Sequence, residues 1–328
     1  METSRSPLEL FRRAYELGRR LWSDYHSPFS RHDFTRPQLF ACLVLRESLR
    51  LSYRKAAAFL IDVPGWLAEI GMAHAPDHNT LWRAFGMLLE PRSVKRALDL
   101  MAIEGAGALS ADLRFKPLTI DSTCYEERHR SRHYDRVCRK LDLRPGQKYA
   151  QRPGKWGPAV NASRSKRLKR MPKLALAVAA ASHRILAARA LIGNGSDAPD
   201  FEPLLFHSWR RAKVIQVVAD AGYDSEDNHR LARRDMGVRS VIPPKSGRPS
   251  KSPPAGYYRR LMKSRFKRKA DAKLYGQRSQ SETTHSMMKR NLGENLRSIR
   301  PERRKQELML RSLVHNLMLD PTKKQGRD

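Results

Sequence analysis

The sequence predicts an α/β protein in which a mixed sheet flanked by helices follows an all-α region. Three observations predict this arrangement. From Pro7 to Leu100 apolar residues recur at three- and four-residue steps, as in amphipathic helices. After Ala106 the pattern changes to short apolar runs bounded by proline and polar residues, which is typical of strands. Helical and strand patterns then alternate. We expect a helical domain at residues 1–105 and a sheet-containing domain at 106–328.

The composition indicates a folded protein with a polyanionic partner. The chain has 328 residues, of which 40% are hydrophobic, so it can bury a substantial core. It contains 65 Lys and Arg against 33 Asp and Glu, for a formal net charge of +32. DNA suits such a surface, because cations that neutralise phosphates release condensed counterions. An anionic membrane fits less well, because the basic residues are spread along the chain and do not form one amphipathic cluster.

The chain carries no pattern of a secreted or membrane-spanning protein. Charged residues occupy the beginning, where a secretion signal needs an apolar core. The most apolar stretch, Leu174 to Ser182, is far shorter than the roughly 20 residues that cross a membrane. The three cysteines, Cys42, Cys124 and Cys138, are too few and too scattered for a disulfide framework. We therefore expect a cytoplasmic, nucleoid-associated protein.

Within the helical region, two segments are typical of short helices joined by a turn. They are LSYRKAAAFL and PDHNTLWRAF, and Asn79 or Thr80 is available as a helix cap. The pair is compatible with a helix-turn-helix that enters a major groove. A generic helical packing module is the alternative, because pairs of helices are common.

The second region contains five strand patterns. KPLTIDST predicts a strand that ends at Asp121, and PKLALAVAA and RILAARALIG predict a hairpin with a turn at Ser182-His183. DFEPLLFHSW is helical in pattern, and AKVIQVVAD predicts a strand that ends on Asp220. SEDNHRLARRD predicts a helix, and VRSVIPPK predicts a short strand that prolines stop.

Two basic insertions interrupt the second region, near residues 125–172 and 245–270. From Tyr125 to Pro172 there are 15 Lys or Arg and four acidic residues, with Tyr134, Tyr149 and Trp156 between them. Aromatic side chains among clustered cations are what stacking on splayed bases requires. We interpret both insertions as DNA-holding segments, with a solvated run of charge as the alternative.

Two aspartates follow strands of the predicted sheet. Asp121 lies in TIDST and Asp220 in VVADAGYD. The carboxyl ends of strands in an open α/β sheet are where ligands bind. Magnesium prefers oxygen ligands and is usually shared with substrate phosphates. Either aspartate alone also fits an ordinary turn or helix cap.

A third carboxylate lies in LYGQRSQSETTHSMMKR. Tyr275, Arg278, Glu282 and Lys289 follow one another at steps of three, four and seven residues, which places them on one face of a single helix. Glu282 is then a candidate metal ligand flanked by an aromatic residue and two cations. The alternative is an exposed helix with a weak Arg278–Glu282 surface ion pair. His285 is either an assisting ligand or an ordinary histidine on the polar helix face.

A zinc site is a further alternative. Cys124, His129, His133 and Cys138 lie close together in CYEERHRSRHYDRVC. The close Cys-x-x-Cys pair of most zinc sites is missing, and the neighbouring arginines would repel a dication.

The spacing Tyr-x2-Arg-x3-Glu-x6-Lys resembles the YREK signature of bacterial insertion-sequence transposases with a DDE nuclease domain. The settings IDST around Asp121 and ADAGYDS around Asp220 are similar to those of the same family. The resemblance spans about Lys116 to Asn316, and the amino-terminal helices resemble the family's DNA-binding module more loosely.

This resemblance implies an RNase H-like fold with Asp121 on the first strand, Asp220 on the fourth and Glu282 on a helix beyond the fifth. It implies that the three carboxylates hold two Mg²⁺ ions, with Mn²⁺ as a substitute. The activity implied is metal-dependent cleavage at insertion-sequence ends and strand transfer into target DNA.

The resemblance also implies that Tyr275, Arg278 and Lys289 bind the phosphates of the transposon end. The partners implied are double-stranded DNA, namely terminal inverted repeats and target, and further copies of the chain in a homo-oligomer on DNA. Three alternatives stay open: a non-catalytic, domesticated or decayed DNA-binding protein, an RNA-binding protein of ribosomal type, and another RNase H-like nuclease such as a junction resolvase.

Overall fold

The computed structural model describes most of both predicted regions. The described residues are 6–127, 171–193, 195–245, 254, 256–266 and 268–319. The first predicted basic insertion lies outside these residues from 128 to 170, and the second lies outside them at 246–253, 255 and 267. The same holds for three of the four candidate zinc ligands, His129, His133 and Cys138.

Helices precede the sheet, as the sequence predicts. They are α1 (Pro7–Leu21), α2 (Arg36–Ser48), α3 (Tyr53–Asp62), α4 (Pro64–Glu69), α5 (His78–Leu88), α6 (Pro91–Glu104) and α7 (Ala106–Phe115). Side-chain caps define several of their starts. At α2, Thr35 accepts from the backbone N–H of Gln38, whose side chain accepts from the N–H of Thr35, a complete capping box.

The predicted turn between two helices of this region is wrong. A third helix, α4, separates α3 from α5, so the two segments are not joined by a simple turn. The helix cap also differs from the prediction, since Asp77 caps α5 and accepts from the N–H groups of Asn79 and Thr80. An aspartate is as good a cap as asparagine or threonine, and local sequence does not decide among adjacent candidates.

The amino-terminal helices share one hydrophobic core with the last helix of the chain, α13 (Pro301–Leu319). Phe40 and Leu43 of α2 are fully buried in this core, and so are Leu310 and Val314 of α13. The predicted division near residue 105 therefore has a shared core across it, and the division itself stays a prediction.

A five-stranded mixed sheet forms the centre of the second region. Its strands are β1 (Leu118–Cys124), β3 (Pro172–Ala179), β4 (Ile185–Ile192), β5 (Gln216–Ala219) and β6 (Arg239–Val241), and β2 (Glu126–Glu127) pairs separately with β7 (Asn295–Leu296). The order is β4-β3-β1-β5-β6, with antiparallel pairs from β4 to β1 and parallel pairs from β1 to β6. This topology confirms the RNase H-like α/β fold.

The predicted end of the first strand at Asp121 is wrong. β1 continues to Cys124, because Asp121 to Cys124 pair with Lys173 to Leu176 of β3. The pairing with β5 stops earlier, at Ile120. A sequence pattern cannot reveal this difference, because the pairing of β1 with its two neighbouring strands stops at different residues.

Helices cover both faces of the sheet. They are α8 (Ala198–Arg211), α9 (Glu226–Arg230), which continues as a π-helical turn over Leu231–Asp235, α10 (Tyr257–Arg265), α11 (Lys269–Gly276), α12 (Ser279–Leu292) and α13. β3 alternates between the faces: Leu174 and Leu176 pack towards α12 and α13, whereas Ala175 and Ala177 pack towards α8. In the part of the chain that the structure describes, no helix has the length and apolarity needed to span a bilayer.

The hairpin of β3 and β4 has a longer turn than predicted, and the last helix holds the start of its second strand. Asn316 of α13 accepts a hydrogen bond from the N–H of Ile185 at 2.9 Å and donates one to its carbonyl at 2.8 Å. His315 lies 3.0 Å from the carbonyl of His183 in the same turn. These contacts attach the sheet edge to α13.

Replacing Asn316 with Ala is expected to lower the free energy of unfolding by about 2–3 kcal/mol, since it leaves both polar backbone groups of Ile185 buried without partners. Urea unfolding followed by circular dichroism measures this. Ser312→Ala is the matched control on the same helix, because its hydroxyl donates only to the Leu308 carbonyl, and we expect a loss below about 1 kcal/mol. Equal losses in the two variants would contradict the prediction.

Candidate active site

The sheet brings Asp121 and Asp220 to one position. Ile120 of β1 and Ala219 of β5 are paired across two adjacent parallel strands. Asp121 is the next residue of β1, and Asp220 directly follows the end of β5. Asp220 is the residue from which the chain leaves the sheet into a short 3-10 turn, Ala221–Tyr223. The sequence placed both aspartates at this edge, and the register makes them neighbours.

Asp121 is nearly enclosed by its surroundings. Its side chain is 13% exposed. The pKa of Asp121 is raised to about 6, mainly by burial and less by the carboxylates of Asp220 and Glu282, while the backbone of Ser122 and the guanidinium of Arg278 oppose the shift. Both other predicted acidic residues therefore act electrostatically on Asp121.

Arg278 lies between two of the three carboxylates. Its guanidinium is 2.5 Å from Oε1 of Glu282 and 3.7 Å from Oδ2 of Asp121. It also lies 5.8 Å from the ring centroid of Tyr275. The ion pair between Arg278 and Glu282 that the alternative interpretation expects is present, but Arg278 also reaches the buried aspartate and is therefore more than a surface residue.

The single helix predicted for Tyr275 to Lys289 is wrong. α11 ends at Gly276 and α12 begins at Ser279. Between them the backbone forms tighter turns, in which the N–H of Arg278 donates to the carbonyl of Tyr275 at 2.9 Å. Gly276 weakens helical continuity. The turn still directs Arg278 towards Glu282 and Asp121.

Lys289 extends the site along α12. Its Nζ donates to Oγ1 of Thr123 at 3.1 Å and lies 5.3 Å from the ring centroid of Tyr125. A cavity of about 430 Å³ is lined by Asp121, Glu282 and Lys289 together. Thr123 and Tyr125 were not singled out from the sequence, although the two-residue period of a strand places Thr123 on the same face as Asp121.

His285 is buried at the base of this cavity and is 4% exposed. Burial lowers its pKa to about 4, and the Asp121 backbone offsets only part of that shift, so the ring is neutral at pH 7. Neither ring nitrogen makes a geometric hydrogen bond with a described residue. The sequence placed His285 on a polar helix face, whereas the structure places it against the sheet.

The donor set fits magnesium in its chemistry. Asp121, Asp220 and Glu282 supply the hard oxygen atoms that Mg²⁺ prefers. Among the residues with described positions, however, no group of three His, Cys, Asp or Glu side chains is close enough to hold a metal ion. The guanidinium of Arg278 between Asp121 and Glu282 keeps these carboxylates paired with a fixed cation.

A second ionic network lies on the opposite face of β1. Ser122 donates to Asp197 at 2.7 Å, and Lys173, which is 1% exposed, lies 3.0 Å from Asp197 and 2.9 Å from Asp200. Sequence analysis did not identify these residues, because their partners are distant along the chain. The network ties β1 and β3 to the start of α8 and thereby supports the strand that carries Asp121.

A third network holds the segment that follows Asp220. Asp224 is buried and pairs with Arg259 at 2.8 Å, and it accepts from the N–H of Lys245 at 2.9 Å. Hydrogen bonds from His229, Arg259 and the Lys245 backbone keep the pKa of Asp224 well below its usual range, although burial alone would raise it. The motif ADAGYDS thus contains two aspartates in different environments, one directly after the end of β5 and one in a buried salt bridge.

One family comparison covers this whole region. The model of the Transposase DDE domain matches residues 119–317, from β1 to the end of α13. No curated protein and no solved structure matches the chain. The match covers more than half of the chain and includes Asp121, Asp220 and Glu282. The chain belongs to the transposase DDE domain family.

Proposed function

We propose that this transposase cleaves DNA at insertion-sequence ends and transfers the strand into target DNA, with Asp121, Asp220 and Glu282 holding two Mg²⁺ or Mn²⁺ ions. The observation that carries the proposal is the placement of Asp121 and Asp220 on adjacent parallel strands, with Glu282 opposite them across Arg278. Asp121 is held nearly buried beside two other carboxylates, with its pKa raised, and this costs the fold free energy that a binding role alone does not explain.

Bound Mg²⁺ would supply Lewis-acid polarisation of the scissile phosphate. The residues of the chain provide the positioning. Arg278 and Lys289 suit the non-bridging phosphate oxygens, one as a planar fork and the other as a point charge. Lys289 already lies at the cavity, where Thr123 fixes its amine. Tyr275 packs beside the Arg278 guanidinium and restricts its directions.

Arg278 has a second part in the proposal. In the described arrangement it pairs with Glu282 and Asp121. When DNA and metal ions enter, we expect Arg278 to exchange these carboxylates for a phosphate of the transposon end. Like-charged carboxylates are therefore neutralised before substrate arrives, which limits their mutual repulsion.

The proposed partner is double-stranded DNA, both the terminal inverted repeats and the target, bound by a homo-oligomer in the cytoplasm at the nucleoid. The net charge of +32 supports a polyanionic partner. The helices of residues 1–105 are proposed to contribute to DNA binding.

A non-catalytic DNA-binding protein is the second candidate. The observation in its favour is the ion pairing of Arg278 with Glu282 and Asp121, which occupies two of the three carboxylates. A protein that uses this face only to bind DNA would keep these pairs in the complex.

Replacing Glu282 with Gln is expected to lower metal-dependent cleavage of a labelled duplex carrying the element's terminal inverted repeat by about 100-fold, since it removes one of the carboxylate ligands. Some activity is expected to remain, because Glu282 is 52% exposed and water can take part of its place. Single-turnover nicking at the repeat boundary with Mg²⁺ or Mn²⁺ measures this. DNA affinity should stay within a factor of about three, because the phosphate-binding cations are unchanged.

Glu294→Gln is the matched control. Glu294 lines the same cavity and undergoes the same change of charge, but it lies outside the carboxylate triad. We expect its cleavage rate to stay close to that of the native protein. Tight DNA binding without nicking by the native protein would favour the non-catalytic candidate.

A further inference from the structure

A second cavity lies between the amino-terminal helices and the segment that leads into α13. Its volume is about 850 Å³, and it has no lining residue in common with the candidate active site. We call it the arginine–tryptophan groove. Its main lining residues are Tyr53, Arg54, Trp82, Arg297, Arg300 and Arg303.

The groove carries a positive charge that the described residues do not neutralise. Arg297 pairs with the buried Glu47. Arg54, Arg300 and Arg303 form no ion pair with any other described residue, and the groove lining contains no carboxylate. Arginines gathered at one cavity repel one another unless an anion binds there. The occupant is therefore expected to be anionic.

Aromatic side chains lie beside these arginines. Trp82 is 43% exposed, and the Arg303 guanidinium lies 5.2 Å from its ring centroid. At the other end the guanidinium of Arg46 lies 3.9 Å from the ring centroid of Tyr53. An exposed tryptophan costs free energy in water, and a flat apolar surface between cations suits a ligand with both apolar and anionic parts.

We propose that the arginine–tryptophan groove binds the sugar-phosphate backbone of duplex DNA, at a site separate from the carboxylates. DNA alternates phosphates with apolar sugar faces, which matches a groove lined by the cations Arg54 and Arg300 and by the ring of Trp82. The volume exceeds that of a single phosphate ion, and three unpaired arginines suit several phosphates in sequence. This inference rests on the proposed function for the identity of the ligand as DNA.

The position of the groove extends the DNA-contacting surface beyond the nuclease sheet. Tyr53 and Trp82 belong to α3 and α5, whereas Arg297 and Arg300 precede α13. One DNA segment in the groove therefore contacts both predicted regions. This arrangement requires no helix-turn-helix, whose predicted geometry the structure does not contain.

The test is fluorescence anisotropy of a short labelled duplex with the full chain, in EDTA and over a series of NaCl concentrations. Arg54→Ala/Arg300→Ala is expected to weaken binding about tenfold and to reduce the slope of log K against log salt by about 2, because each lost phosphate contact removes about 0.9. Trp82→Ala is expected to weaken binding about fivefold with the slope unchanged, since it removes contact area and no charge.

Arg92→Ala/Arg96→Ala on α6 is the matched control, with the same loss of charge at exposed residues outside the groove. Its slope should fall by less than 1. Equal effects of the two double variants would overturn the proposal, because net charge alone would then explain binding. The proposal would also be overturned if Arg54→Ala/Arg300→Ala lost affinity only for the single-stranded oligonucleotide and kept its affinity for the duplex. Circular dichroism confirms that each variant folds.

This assay is independent of cleavage. EDTA removes the metal ions, so a failure of the proposed chemistry leaves the binding result unaffected. Arg46, Arg297 and Arg303 are left unchanged, because the first two contact buried Glu47 and Arg303 packs against Phe85 in the core. The native protein and the Glu282→Gln variant should differ in nicking but bind the duplex with equal affinity. This result would separate the proposal for the groove from the proposal for the carboxylates.

Discussion

Replacing Asp121 with Asn is expected to lower metal-dependent cleavage by about 1,000-fold and to raise the stability of the metal-free protein at pH 7. The activity falls because Asp121 is a proposed ligand, and metal stabilisation of a transition state contributes several kcal/mol, about three factors of ten. The effect should exceed that of Glu282→Gln, since Asp121 is 13% exposed and Glu282 is 52% exposed. Water replaces a buried ligand less easily than an exposed one.

The stability should rise because ionised Asp121 is unfavourable in the fold. Its pKa is raised from an ordinary value of 3.8 to about 6, mainly by burial. The folded state therefore holds this proton more tightly than the unfolded state. The associated stability is fully present below about pH 4 and is lost as pH rises through 6. At pH 7 the carboxylate costs on the order of 2 to 3 kcal/mol, which a neutral Asn avoids.

Thermal unfolding in EDTA from pH 4 to pH 8 measures this effect. The native protein should lose stability across pH 4 to 6 relative to Asp121→Asn, and the two curves should run parallel above pH 7. A variant that is inactive and also less stable at pH 7 would contradict the prediction, because loss of activity would then follow from a damaged fold.

Asp224→Asn is the matched comparison and should have the opposite sign. Its pKa is held down by His229, Arg259 and the backbone of Lys245, so its stability contribution is present above the ordinary pKa and lost as pH falls. Breaking the buried pair with Arg259 should lower stability at pH 7 by about 2–3 kcal/mol. The opposite signs would distinguish the proposed ligand Asp121 from Asp224, which forms a structural salt bridge.

The fold was largely predictable because its patterns are local. β3 alternates leucine and alanine between two buried faces, and its length and flanking residues identify a strand. Asp121 and Asp220 follow short apolar runs, which places both at one edge of the sheet. These features depend on neighbouring residues, and the short apolar runs with their proline and polar boundaries are enough to predict them.

The arrangement of the site was only partly predictable because it depends on contacts between distant residues. Helical spacing grouped Arg278 with Glu282, but not with Asp121, which is 157 positions earlier in the numbering. The turn at Gly276 and the burial of His285 follow from packing on the sheet, and no periodicity reports that packing. The cap at Asp77 differs from the prediction because several adjacent residues were suitable.

Replacing Glu47 with Gln is expected to lower the free energy of unfolding by about 3–5 kcal/mol, the second large effect. Glu47 is fully buried on α2 and contacts three arginines. Its Oε1 accepts from Arg311 at 2.9 Å, Arg46 lies 3.4 Å from Oε2, and Arg297 also pairs with it. Burial alone would raise the pKa of Glu47, but Arg311, Arg297 and Arg46 outweigh it and lower the pKa.

The loss is large because the arginines stay buried after the carboxylate is gone. Glu307 remains as the other buried acid, and it already accepts from Arg311 at 2.9 Å and from the backbone of Arg297 and Ser298. One carboxylate then faces three cations with little water to screen them. A free energy of 3–5 kcal/mol is a large share of the roughly 5–15 kcal/mol that stabilises a typical domain.

Glu69→Gln is the matched control. Glu69 also pairs with an arginine, Arg12, but the Arg12 side chain is 56% exposed and that of Glu69 is 30% exposed. We expect a change below about 1 kcal/mol, because water screens a surface ion pair. Urea unfolding at pH 7 measures both variants. Similar unfolding midpoints for the two would mean that burial does not set the strength of these ion pairs.

The Glu47 network also links stability to the candidate active site. Arg311 donates to the carbonyls of Gly293 and Asn295, just beyond the end of the helix that carries Glu282 and Lys289. Arg50, three residues after Glu47, contacts the last turn of the same helix at Arg290 and Asn291. The amino-terminal helices therefore hold the end of α12 from one side. We expect Glu47→Gln to reduce the cleavage rate even at temperatures well below its unfolding temperature, where the variant is folded. If the variant is unstable but fully active at those temperatures, the sheet alone positions α12.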